Sequence, residues 1–232
     1  MRVKNLSKRY KTDNGETVVL DKFNVDFEDG KTTAVMGGSG IGKTTLLNCI
    51  ANLTDYEGEI IGAGDVAYVF QSDRLLPNKT VFKNVEFVVF EKNAEERKRR
   101  VVEALKVTEL ESEAGKFPSE LSGGQKKRVS LAMAVASGRK TMLLDEPLSS
   151  LDIGLKFRIY EVLKKVFASG GKTVVMVTHD PDEALTLADE IIVIDGNGVK
   201  YRKTISAPLS GRDITGEECN EIRKDLINIF KS

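Results

Sequence analysis

The chain has 232 residues, 41% hydrophobic and 30% charged, enough to bury a sizeable core within an ordinary soluble composition. Its 35 basic side chains balance 35 acidic ones, which excludes a global field that would recruit nucleic acid or an anionic membrane. Two cysteines, Cys49 and Cys219, exclude a disulfide framework and suit a reducing, cytoplasmic setting, and no run approaches the ~18 apolar residues of a membrane span.

The opening stretch, MRVKNLSKRYK, is basic but no apolar run follows it, so no signal peptide is expected. Strands dominate up to about residue 70: TVVLDKFNVDFE alternates, while KTTAVMG and GDVAYVF are runs suited to buried strands. The exception is a helix opening at Lys43, directly after the glycines of VMGGSGIGKTTLL, with Cys49 as a core residue in its apolar run. The middle third reads helical. AEERKRRVVEALKVTEL sets Val101, Val102, Leu105 and Leu110 against a charged face that includes Arg97 to Arg100.

After residue 140 strands and helices alternate, through TMLLDEP, LKFRIYEVLKKVFASG, TVVMVTHD, PDEALTLAD and EIIVIDGNG. That order predicts a parallel sheet with right-handed crossovers. DGNGVK predicts a hairpin turn into an edge strand, and the tail a terminal helix with Ile222, Leu226 and Ile229 on one face. The expected organisation is one domain over 1–232. A core with its β region occupies 1–71 and 139–205, a helical insertion 72–138, and a C-terminal helix 206–232.

Gly37, Gly42, Lys43 and Thr44 match G-x-x-x-x-G-K-[ST] between a predicted strand and a predicted helix, the context that a phosphate-binding loop requires. Glycines let backbone N–H groups turn inward and admit phosphate without a Cβ clash, and the helix N-terminus adds partial positive charge. Lys43 is expected to bridge β- and γ-phosphates, with Thr44 offering its hydroxyl to Mg2+. TMLLDEP places Asp145 and Glu146 at the carboxyl edge of the sheet, where ligands bind in such folds. Asp145 suits Mg2+ held through water, and Glu146 suits the polarisation of an attacking water. His179 and Gln71 emerge at the same edge, after TVVMVT and DVAYVF. His179 is expected at the γ-phosphate or the water, Gln71 at the metal or the water.

ELSGGQKKRVS opens another helix. Ser122 and Gln125 form a capping box, but Gly123 and Gly124 would cost about 1 kcal/mol each in a first turn relative to alanine. The capping box leaves that cost unexplained, which points to close approach of an anion to the backbone. LSGGQ together with GGSGIGKTT, VFQ, LLDEP, SSLD and VTHD, in that order, resembles the nucleotide-binding subunit of an ABC transporter over essentially the whole chain.

The resemblance implies an α/β fold with a P-loop NTPase core, a mainly parallel sheet, an N-terminal antiparallel β region and a helical insertion. It implies that two copies stack head to tail, with Leu121, Ser122, Gly123, Gly124 and Gln125 of one serving the ATP gripped by Lys43 of the other. Gly38, Ser39, Gly40, Ile41 and Thr45 would complete the phosphate cradle, Tyr10 would stack on adenine, and Asp152 would signal between the two sites. Gln71 to Val85 resembles the surface that receives an integral membrane permease, itself served by an extracytoplasmic solute receptor. The chain would then sit on the cytoplasmic face of the membrane, binding ATP and Mg2+ but no nucleic acid.

QSDRLLP and THDPDEALTLAD resemble uptake systems, notably the nitrate, sulfonate, taurine and thiamine-precursor branch. Two departures are LAMAV with Met133, where many members carry arginine, and no long C-terminal extension, so no regulatory domain is expected. The alternative is a non-transport ABC ATPase, for example in iron–sulfur assembly. DNA-repair and translation types would need coiled-coil heptads or tandem cassettes, which are not found. An unrelated P-loop kinase or GTPase is disfavoured by the acidic pair, by LSGGQ and by the missing N-K-x-D guanine reader.

Overall fold

Five apolar strands can stack side by side only if both faces of the sheet are covered, and this chain covers both. The computed structural model describes residues 1–12, 15–149, 151–168 and 171–231. Its larger sheet holds β3 (Thr32–Met36), β5 (Val66–Val69), β6 (Thr141–Asp145), β7 (Thr173–Val177), β8 (Glu190–Ile194) and β9 (Val199–Thr204). The strand order is β5-β6-β7-β3-β8-β9, parallel except for β9, which runs antiparallel on the edge beside β8. Asp195 Oδ1 accepts from the amides of Asn197 and Gly198, both at 3.0 Å, and so forms the predicted turn into β9.

The two-residue period sorts each strand between two cores. Ala34, Met36, Met142, Leu144, Val174 and Met176 face α5 (Ile153–Ala168), α6 (Pro181–Leu187) and α7 (Glu217–Lys231). Val35, Leu143, Val175 and Ile192 face the other way, onto Leu46 and Leu47 of α1 (Lys43–Ile50). That second core continues into a three-stranded antiparallel sheet, ordered β2-β1-β4. Its strands are β1 (Arg2–Thr12), β2 (Gly15–Asp26) and β4 (Glu57–Ile61), which supply Val3, Leu6, Leu20 and Phe23. Ile222 and Leu226 of α7 are buried as predicted, and Ile229 packs against them.

A third core belongs to α2 (Val81–Phe87), α3 (Ala94–Val107) and α4 (Gly123–Ala136), built around Val85, Val101, Leu105 and Val129. One expected member is absent. Val102 is 46% exposed, and Ala104 takes the buried position because it lies three residues from Val101 on the same helical face. Leu110 is buried, but beyond the end of α3. The Arg97 to Arg100 cluster is a solvated face, with Arg99 paired to Glu96 at 2.7 Å and Glu103 at 3.0 Å. Solvent screens such exposed pairs, so they add little to stability.

Candidate active site

The loop between β3 and α1 owes two of its glycines to its own packing. At Gly37 (φ +156°) a Cβ would lie 2.7 Å from the Ile194 carbonyl oxygen of β8. At Gly42 (φ +101°) it would lie 2.9 Å from Val19 Cγ1 of β2. Gly38 is different: a Cβ there would meet nothing, and its backbone is outside the left-handed region. No internal contact therefore accounts for glycine there. Gly42 caps α1 without a side-chain hydrogen bond, so the helix presents open amides. Lys43 Nζ donates to the carbonyls of Gly37 at 2.8 Å and Gly38 at 2.7 Å. Burial lowers its pKa, while Glu146 and Asp145 pull the other way.

Thr44 follows on the first turn of α1 and donates from Oγ1 to Asp145 Oδ2 at 2.9 Å, across 101 residues of sequence. Asp145 ends β6 and is buried, which raises its pKa against the Thr44 hydrogen bond. Glu146 then takes a left-handed backbone, φ +46°, with its amide fastened to the Val177 carbonyl at 2.9 Å. Such a conformation costs a non-glycine residue roughly 1 kcal/mol or more. Its effect is to turn the side chain away from the strand's alternation and into the cleft, where Glu146 Oε1 lies 3.1 Å from His179 Nδ1. Glu146 Oε2 accepts from Gln71 Nε2 at 3.5 Å. Three strand ends thus converge on one carboxylate.

The resulting cleft measures about 480 Å³ and is lined by Ser39, Gly40, Lys43, Thr44, Thr45, Gln71, Asp145, Glu146 and His179, with Val19 on one side. Ile41 turns its side chain into the core, leaving its backbone to the loop. The hydroxyl of Thr44 and the carboxylate of Asp145 are hard oxygen donors of the kind Mg2+ takes alongside waters and phosphate. The cleft can therefore grip a polyphosphate with its metal and hold a carboxylate beside an entering water.

The remaining expected residues lie elsewhere. Tyr10, Asp152 and residues 121–125 are not among the described residues that line this cleft. Tyr10 pairs with Thr17 on β2, beyond the stretch of β1 that β4 covers, and carries the Lys8 ammonium 4.8 Å from its ring centre. Asp152 Oδ1 accepts from the Leu155 amide at 2.9 Å and caps α5, while Ser150 of the same SSLD motif lies outside the described residues. Leu121 is buried in the helical core. Ser122 and Gln125 form the capping box, with the Ser122 amide donating to Gln125 Oε1 at 2.9 Å and the Gln125 amide to Ser122 Oγ at 3.3 Å. At Gly123 a Cβ would meet nothing within the chain, so no internal contact accounts for glycine there.

Among the buried charged residues that the sequence reading does not single out are Lys127 and Glu183, although each sits in phase with apolar residues on its helix. Glu183, on α6, is 2% exposed and accepts from Thr178 Oγ1 at 2.8 Å. Thr178 Oγ1 in turn accepts from the Asp180 amide at 3.0 Å, so the backbone on both sides of His179 is tied to Glu183. Burial pushes the Glu183 pKa from 4.5 up to about 7. The folded state then holds a proton that the unfolded chain releases, so stability falls as pH rises from 4.5 to about 7. Over that window the group withdraws about 3 kcal/mol, and Glu183→Gln is expected to flatten this part of a pH series of denaturant melts.

Comparison with known proteins adds family to geometry. The ABC transporter family model matches residues 20–149. The chain is 42% identical over 212 residues to the spermidine/putrescine import ATP-binding protein PotA of Pseudomonas fluorescens, covering 85% of this chain and 58% of that protein. It is 38% identical over 217 residues to the aliphatic sulfonates import ATP-binding protein SsuB 1 of Shouchella clausii, covering 92% of this chain and 86% of that one. Among solved structures it is similar to a dimeric bacterial ABC transporter cassette, with TM-score 0.81, 33% identity, and coverage of 91% of this chain and 99% of that one. A dimeric post-hydrolysis state of an ATP-binding cassette, bound to ADP and Pi, gives TM-score 0.80 at 34% identity with the same coverage.

Proposed function

Because the chain belongs to the ABC transporter family, we propose that it is the ATP-hydrolysing subunit of a solute importer, acting as a head-to-tail pair against a separate membrane permease. The observation that carries this reading is the convergence of Gln71, Asp145, Glu146 and His179 on the rim of the Lys43 loop. ATP lies with its phosphates along residues 37–45, and Lys43 exchanges the two carbonyls it now holds for β- and γ-phosphate oxygens. Thr44 and Gln71, with Asp145 through water, would hold Mg2+, which would supply positive charge to neutralise the phosphate oxygens. A water oxygen attacks the γ-phosphorus, the bond to the β–γ bridging oxygen breaks, and Glu146 takes the water's proton, leaving ADP and phosphate. His179 orients Glu146 and contacts the γ-phosphate. Tyr10 stacks on adenine, Asp152 relays between the sites, and Ser122 and Gly124 of the second copy close over the γ-phosphate.

In this reading residues 1–71 and 139–205 grip and cleave the nucleotide, while 72–138 carry both the Ser122 and Gly124 contacts to the second copy and the permease surface near Gln71 to Val85. Beside Arg74 a groove of about 310 Å³ opens between β5, α2 and α4, and its rim carries Phe87, 67% exposed, and Phe90, 81% exposed. Exposed aromatics on a groove are an anchor for a partner helix. The occupant is a cytoplasmic helix of the permease, which puts the chain on the cytoplasmic face. Among the described residues no helix is long and apolar enough to cross a membrane itself. Cargo is selected by the permease and an extracytoplasmic receptor. The polyamine and sulfonate relatives are named for solutes of opposite charge at 42% and 38% identity to this chain.

The test is purification of the chain from its native membrane. A hydrophobic permease is expected to accompany it, and Phe90→Asp should reduce the retained permease at least about tenfold, the worth of one anchor side chain. Full retention in that variant would move the docking surface elsewhere, and isolation with iron–sulfur assembly proteins would replace transport with the alternative.

A further inference from the structure

Lys127 is a buried charge that the hydrolytic scheme leaves unused. It stands on α4 in phase with Leu131 and Ala134, on the stripe the helix buries, and is 1% exposed. Its ammonium donates to the carbonyl oxygens of Phe70 at 2.7 Å and Gln71 at 3.1 Å. Both acceptors are neutral backbone groups. The carboxylates of Asp73, Asp145, Glu146 and Glu183 face it from further off, and burial lowers its pKa against their pull. Taking an ammonium out of water is costly, and an apolar side chain of the same length would fill the space without that cost. What lysine adds is a charged, two-pronged tie between segments 56 residues apart.

In the two-subunit reading the two segments it joins answer to different nucleotides. α4 begins at the Ser122 cap, about 7.5 Å along the helix axis from Lys127. Gln71, at the other end of the tie, faces this chain's own cleft, with its amide 3.5 Å from Glu146 Oε2. Ser130, one turn beyond Lys127, has its hydroxyl 3.5 Å from Asp73 Oδ1, so the same helix holds the same loop twice. A helix is stiff over this length, so displacement of its N-terminus by a ligand must either move the Gln71 backbone or break the two bonds.

We propose that Lys127 is a positioning residue that fastens the Gln71 backbone to the helix of the LSGGQ motif, so that engagement of the second subunit's nucleotide by Ser122 and Gly124 sets the glutamine in this chain's own cleft. The proposal rests on the two-subunit reading above.

Three variants separate geometry from charge. Lys127→Met keeps length and apolar fit, Lys127→Gln keeps a donor without charge, and Lys127→Arg keeps both. Two quantities are read on the full chain: amide hydrogen exchange of residues 70–75 with and without ATP, in the Glu146→Gln background, and ATP turnover in the parent background. ATP should protect residues 70–75 in the parent. In Lys127→Met that protection should vanish, and kcat should fall at least about tenfold while KM for ATP stays within about twofold. Lys127→Arg should restore protection, and Lys127→Gln should lie between the two. Protection and turnover unchanged in Lys127→Met, or in Lys127→Gln if the methionine variant does not fold, overturn the proposal. So does lost turnover with protection intact. A parent chain that hydrolyses ATP while its mass stays monomeric removes the two-subunit reading, and the proposal with it.

Discussion

Replacing Glu146 by Gln is expected to cut ATP turnover by at least about a hundredfold while nucleotide binding persists and an ATP-loaded pair of subunits accumulates. The substitution keeps the side chain's size and leaves the Glu146 amide on the Val177 carbonyl at 2.9 Å, so the left-handed turn that aims it survives. What it removes is the ability to accept a proton. Lys43, Thr44 and the loop amides are untouched, so the grip on phosphate stands, and without hydrolysis the event that separates the two copies does not occur. A hundredfold corresponds to about 3 kcal/mol of transition-state stabilisation, the size of one well-placed base. Phosphate release measures the first effect and mass in the presence of ATP the second. Near-normal turnover would take the role of base away from Glu146.

The strands of the large sheet were readable because burial on both faces writes itself as unbroken apolar runs, as in TTAVM, TMLLD and TVVMV. The small antiparallel sheet was less so. β1 carries polar residues along much of its length, and its pairing with β4 shifts register between Lys4 and Ser7, where Asn5 takes φ +48°. Such bulges are set by contact: Gly58 of β4 has no room for a Cβ, which would lie 2.4 Å from the Asn5 carbonyl oxygen. Local periodicity points Val102 inward, but the position of α3 against α2 and α4 decides which face is covered.

The candidate site divides in the same way. Lys43 and Thr44 were legible because phosphate binding needs its residues contiguous, and Asp145 because an acid closing an apolar strand stands out. The left-handed backbone of Glu146 has no signature in TMLLDEP, since it depends on the neighbouring strand offering the Val177 carbonyl. Lys127 and Glu183 were visible only as charges in phase with apolar neighbours, a pattern that names burial but not what the charge touches. Their partners, the Phe70 and Gln71 carbonyls and the Thr178 hydroxyl, come from distant or neighbouring strand ends that folding brings beneath the cleft.

Mixing Lys43→Ala subunits with Ser122→Arg subunits is expected to recover ATPase activity that neither variant shows alone. Ser122, Gly123 and Gly124 stand apart from the cleft of their own chain, and the open space at Gly123 leaves the start of α4 free to meet a second molecule. In a pair of Lys43→Ala chains both clefts lack the phosphate-gripping ammonium; in a pair of Ser122→Arg chains both clefts meet a bulky cation in place of the hydroxyl. A mixed pair joins the intact Lys43 of one chain to the intact Ser122 of the other, while its second site carries both defects. Random equimolar pairing makes half the dimers mixed, each with one sound site of two, so recovery should reach about a quarter of parental activity if the sites work independently. The capping box lost in Ser122→Arg costs about 1 kcal/mol, too little to unfold the chain, and a thermal melt checks it. Calorimetry should show Lys43→Ala alone losing nucleotide affinity. If each site were complete within one chain, Ser122→Arg would hydrolyse ATP on its own, and every mixture would show only the average of the two variants.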